Sequence, residues 1–115
     1  MKSALKSPTK AESHRISWIK MHGCIACAKD GKHRYADAHH ILDGGRRIGH
    51  DHTIPLCEWH HRGINLFDTL TDSQVEELLG PRLTSKRAFI DRYGTELELL
   101  AEIDDRYMES QIELN

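Results

Sequence analysis

Residues 35–62 read YADAHHILDGGRRIGHDHTIPLCEWHHR. Tyr35 to Leu42 reads as a short strand carrying a His pair, His39 and His40. Asp43 to Gly49 is a glycine-rich loop with adjacent Arg46 and Arg47. Thr53 to Cys57 reads as a second strand. Pro55 confines it to an edge or a strand end, because proline cannot donate to a ladder. Glu58 to about Asp68 is a short helix, weakened by Gly63, with His60 and His61 near its start. The expected order is strand, basic loop, strand, helix.

Just upstream lies Cys24-Ile25-Ala26-Cys27, and the second strand runs into Cys57-Glu58-Trp59-His60. These are two close ligand pairs separated by 29 residues. Each has the spacing that lets two side chains grip one tetrahedral ion. Three thiolates and one imidazole favour zinc over magnesium. With all four positions filled by protein, such a site is structural. A redox role for the Cys-x-x-Cys pair lacks the strand–helix context it needs. A chain of 115 residues with few aromatics also gains from a metal staple.

Further outward, Thr9-Lys10-Ala11-Glu12 is a capping box that opens a helix to about His22, with Ile16, Ile19 and Trp18 toward the core. Gly23 stands where a left-handed C-terminal residue is wanted. Residues 1–8 read as a flexible basic tail. On the other side, Thr71 opens a helix that Gly80-Pro81 stops, and a helix from Ser85 ends at Gly94. Thr95 to Glu98 is a third capping box, opening a helix with apolar Leu97, Leu100, Ile103 and Tyr107. Trp59 and Phe67 read as core residues; His14, His22 and His33 read as surface or helix-end residues. The whole is an α+β chain, mostly helical: a core finger over about 24–68 wrapped by N- and C-terminal helices, the latter about 71–112. Residues 9–115 are expected to form one domain.

The net charge of −2 hides a strong asymmetry. Residues 1–62 carry 11 Lys and Arg against 6 Asp and Glu; residues 63–115 carry 5 against 12. All nine His and all three Cys fall in the basic part. The positive charge thus lies with the chemistry, as a nucleic-acid partner requires. The acidic part reads either as solvated helix faces or as a partner surface. No apolar run approaches the ~18 residues of a membrane span, and the first residues lack the apolar stretch of a signal peptide. The expectation is a cytoplasmic protein without a membrane partner.

The AHHIL strand, the IPLC strand and the run Cys57-Glu58-Trp59-His60-His61 together resemble the HNH nucleases, whose fold is the ββα-metal finger. HHIL, the Gly- and Arg-bearing loop, His50, TIPLCEWHHRG and RYGTELELL further resemble the phage recombination enhancement function (Ref) family of RecA-dependent nucleases. The resemblance covers the chain from the first helix to about Ile103. It implies a DNA endonuclease in phage-linked recombination, working with a RecA filament near the bacterial nucleoid. It implies that His39 and His61 bind a catalytic divalent ion, Mg²⁺ or another, and that His40 is the general base. His52 stands where the middle Asn of the HNH pattern is usual, and His50 matches a His of the narrower family. Either one, or neither, takes the orienting role.

The chemistry stands without the family. Phosphodiester hydrolysis needs a water deprotonated in line with the leaving oxygen, which an imidazole with pKa near ~6.5 can do. It also needs cationic charge at the phosphate. Arg46, Arg47 and Arg62 flank the expected cleft, and arginine grips phosphate bidentately. Strand alternation points His39 and His40 to opposite faces, so sharing one site calls for local distortion. A zinc-stabilised DNA-binding or recombination-accessory module that does not cleave is the alternative reading. So is a small zinc protein whose acidic helices bind a partner.

Overall fold

The computed structural model describes residues 5–113; the first four residues of the expected tail and the last two of the chain lie outside that range. Two helices come first, α1 (Lys10–His22) and α2 (Ile25–Lys29). The Thr9 capping box forms as its sequence predicts, with Glu12 Oε1 accepting from Thr9 N–H at 2.8 Å. Gly23 ends α1 at φ +89°. Helix α2 is absent from the sequence reading, being too short for periodicity to reveal. It forms because Cys24 caps it and because Ile25, Ala26 and Cys27 are buried.

Four strands follow: β1 (Asp37–His40), β2 (Leu42–Asp43), β3 (Arg46–Arg47) and β4 (Thr53–Leu56). They form two separate antiparallel pairs, β1 with β4 and β2 with β3. The expected strand from Tyr35 to Leu42 therefore breaks at Ile41, whose N–H turns to the His52 carbonyl at 2.9 Å. The expected loop is itself a small hairpin. Gly44 and Gly45, at φ +60° and +80°, supply the two positive angles of a type I′ turn. Pro55 sits in β4 opposite Ala38, in a two-stranded ladder where each strand is an edge.

Helices α3 (Glu58–Arg62), α4 (Asp72–Leu79), α5 (Lys86–Tyr93) and α6 (Glu96–Glu113) complete the chain. About half of the chain is helical. Helix α3 stops at Gly63, in the left-handed region, rather than reaching Asp68. Gly80 ends α4, and the Tyr93 hydroxyl occupies the space a Cβ there would need. The Thr71–Gln74 and Thr95–Glu98 capping boxes are both made.

One apolar cluster joins these parts: Ile19, Ile25, Ile54, Leu56, Trp59, Val75, Phe89, Leu99 and Ile103 are fully buried. Trp18 and Phe67 pack half-buried against it. Leu97 faces outward, and Leu99 takes the core position one turn before Ile103. A buried cation ties three elements together behind the strands. The Arg15 guanidinium donates to the Thr53 hydroxyl at 2.6 Å, to the Thr53 carbonyl at 2.8 Å and to Asp104. Arg15 thus fixes the start of β4 directly opposite His40. Among the described residues, no helix is long and apolar enough to cross a membrane.

Candidate functional site

Two centres flank the β1–β4 ladder. The first gathers Cys24, Cys27, Cys57 and His60, all buried, with their ligand atoms within 4.8 Å of one another. Local structure explains the convergence. Cys24 caps α2 and accepts from Cys27 N–H; Cys57 caps α3 and accepts from His60 N–H. Each pair is thus folded over one helical turn, and β4 delivers the second pair to the first.

The spacing fits a metal. Tetrahedral zinc with Zn–S of ~2.3 Å and Zn–N of ~2.05 Å requires S···S of ~3.8 Å and S···N of ~3.6 Å. Cys27 and Cys57 sulfurs lie 3.9 Å apart, and His60 Nδ1 lies 3.4, 3.5 and 3.3 Å from Cys24, Cys27 and Cys57. His60 Nε2 donates to the Leu79 carbonyl at 2.8 Å, which leaves Nδ1 as the ligand atom. The Tyr93 hydroxyl lies against the same carbonyl at 2.9 Å. Burial alone would lower the His60 pKa, but the Cys24 and Cys57 sulfurs raise it to about 9. Metal binding displaces protons from such thiol and imidazole ligands. The cluster can hold zinc with no position left open.

The second centre is a pocket of about 550 Å³ bordered by His39, His40, His61, Arg47 and Arg62. Five of the residues singled out in the sequence therefore meet here. Lys20 and Asp37 also border it and carried no sequence signal; Ile16, expected toward the core, borders it half-buried. Lys20 arrives because it lies one turn from Ile16 on the same face of α1. Arg46 does not border the pocket; it is the exposed neighbour of Arg47 on β3 and stands opposite Asp43. The His52 ring does not border it either, and that residue contributes its backbone carbonyl to Ile41.

The β1–β4 register runs one to one through His39 and His40, so the local distortion expected there does not take the form of a bulge. The rings keep different partners instead. His39 meets His61 edge to face, with ring centroids 4.8 Å apart, and its Nε2 lies 2.6 Å from Glu96 Oε2. His40 meets His50, with Nε2 3.2 Å from His50 Nδ1, and His50 Nε2 lies 2.6 Å from the Lys6 carbonyl. The pocket runs along the whole of β1, so both residues border it. Glu96 and Lys6 both escape the sequence reading.

The surroundings favour the neutral form of two of these imidazoles, His40 and His61. Burial, then Arg47, His50, His39 and His61, holds the His40 pKa below the ordinary imidazole range. Burial, then His39 and Arg62, does the same for His61. His61 Nδ1 is buried without a hydrogen-bond partner. The His39 bond holds the Glu96 carboxyl below its usual range. A neutral imidazole beside guanidinium groups can take a proton from water next to an anionic ester.

No curated protein matches the chain. Over residues 8–107 it matches the family described as recombination enhancement, RecA-dependent nuclease. That span takes in both centres and all but the last turns of α6. The chain belongs to the family of recombination-enhancement, RecA-dependent nucleases.

Proposed function

We propose that the chain is a metal-dependent DNA endonuclease of the HNH type, acting in RecA-directed recombination. In this reading β1, β4 and α3 form the ββα-metal finger, and the Cys24, Cys27, Cys57 and His60 zinc is structural. The observation that carries it is the meeting of His39, His40 and His61 with Arg47 and Arg62 around one pocket. A closed zinc knuckle alone has no use for a second His cluster beside two arginines.

His40 is the general base. A carbonyl can only accept, so His50 carries its proton on Nε2 toward Lys6. In that tautomer His50 offers the Nδ1 lone pair to His40 Nε2–H. The basic nitrogen left to His40 is Nδ1. It takes a proton from water, the resulting hydroxide attacks phosphorus, and the P–O3′ bond breaks. The leaving oxygen takes a proton from solvent. His50, rather than His52, is the residue that orients the base.

His39 and His61 would hold a divalent cation such as Mg²⁺, and the partnerless His61 Nδ1 fits that use. When bound, the cation offsets negative charge on the phosphate and the departing oxygen. Arg47 and Arg62 grip the phosphate.

The test incubates zinc-loaded protein with single- and double-stranded DNA, with Mg²⁺ or Mn²⁺, with and without RecA filaments. The parent is expected to cleave. His40→Ala is expected to lose roughly 10²–10⁴-fold in rate while zinc content and thermal melting persist. A parent inert under every condition supports the non-cleaving accessory module instead. Equal cleavage by His40→Ala removes the general base.

A further inference from the structure

Glu96 is the first residue of α6, far from the finger in sequence, yet its carboxylate meets His39 Nε2 at 2.6 Å. It is free to do so because Glu98, not Glu96, closes the capping box with Thr95. Both side chains are largely covered: 15% of His39 and 26% of Glu96 remain exposed. An ionised carboxylate only accepts, so His39 carries its proton on Nε2. Nδ1 is then the one His39 nitrogen with a lone pair to offer. Histidines that ligate metals usually donate their other ring N–H to a carboxylate or carbonyl, which fixes tautomer and ring orientation.

We infer that Glu96 is a positioning residue of the divalent-cation site, holding His39 in the Nδ1-ligating tautomer and orientation. The inference rests on the reading of His39 as a cation ligand. It gives the acidic C-terminal half a task in the site: α6 carries a carboxylate to the back of a histidine that the finger presents.

The test is Mn²⁺ affinity, read by electron paramagnetic resonance or calorimetry on protein already loaded with zinc, without DNA. His39→Ala, Glu96→Ala and Glu96→Gln are compared with the parent, each checked for zinc content and melting temperature. Glu96→Ala is expected to weaken Mn²⁺ binding by roughly 10–100-fold. Glu96→Gln keeps an acceptor for His39 Nε2–H and is expected to stay within about threefold of the parent. A Gln variant as weak as the Ala variant overturns positioning in favour of direct ligation by the carboxylate. Parent-like affinity in Glu96→Ala, with His39→Ala defective, overturns the inference alone. Parent-like affinity in His39→Ala, or no Mn²⁺ binding by the parent, overturns the underlying reading of His39 as well.

Discussion

His40 Nε2 lies 3.2 Å from His50 Nδ1, and this contact joins the end of β1 to the far side of the β2–β3 hairpin. The chain between them runs out through Gly44-Gly45 and back, so the nine residues 41–49 serve to return one imidazole to another. His50 is in turn held by the Lys6 carbonyl. His50→Ala is therefore expected to lower kcat by roughly 10–100-fold with little change in KM, since ring orientation is lost and DNA contacts remain. Its defect should be smaller than that of His40→Ala. A His50→Ala enzyme with parental kcat would free His40 from this partner.

The pH profile follows from the same surroundings. A general base works only when unprotonated, so activity falls as pH drops through its pKa. Burial, with Arg47 the foremost of the neighbouring groups, holds His40 below the ordinary value of ~6.5. The acid limb of log(kcat/KM) should thus have its midpoint below that value. Arg47→Gln removes a neighbouring positive charge and should move the midpoint up, toward the ordinary range. A limb that stays in place in Arg47→Gln would detach it from His40.

How far the sequence discloses this site depends on the range of the interactions. The Thr9–Glu12, Thr71–Gln74 and Thr95–Glu98 boxes close over three residues and were readable because the partners are neighbours. The Cys and His pairs were readable for the same reason, each gripping across one turn. Glu96 was not, because 57 residues separate it from His39 and a glutamate at a helix start has an ordinary reading. The Lys6 carbonyl was not, because a backbone atom carries no residue signal. Arg15 was not, because nothing local distinguishes a helical arginine at 5% exposure from one in water. Leu97 was misleading: apolar content near a helix start does not say which residue faces the core, and packing chose Leu99.

The cluster of Cys24, Cys27, Cys57 and His60, read as a zinc site, makes a stability prediction that is separate from catalysis. Removing one thiolate leaves three ligands and weakens a site whose metal affinity is part of the folding free energy. Cys24→Ser should therefore lose most of its zinc and either unfold or melt more than about 10 °C lower. Chelation of the parent should do the same. Metal analysis of purified protein together with calorimetry checks this. A zinc-free parent that melts like the loaded one would show that the core alone carries the fold.

The arginines separate by position rather than by number. Arg47 and Arg62 border the pocket with the histidines, whereas Arg46, the neighbour of Arg47 on β3, does not. A guanidinium that grips a phosphate displaces condensed counterions, so its removal weakens binding and flattens the salt dependence by about one unit of slope. Arg47→Ala and Arg62→Ala should each show this in the plot of log affinity against log salt, measured on zinc-loaded protein with no other divalent ion added, so that the DNA stays uncut. Arg46→Ala should leave the slope close to the parent's. Because Arg46 and Arg47 are adjacent in sequence and equal in charge, a general electrostatic attraction predicts equal losses from both. Equal slopes for the two variants would therefore count against a phosphate site at this pocket and in favour of diffuse attraction to the basic half.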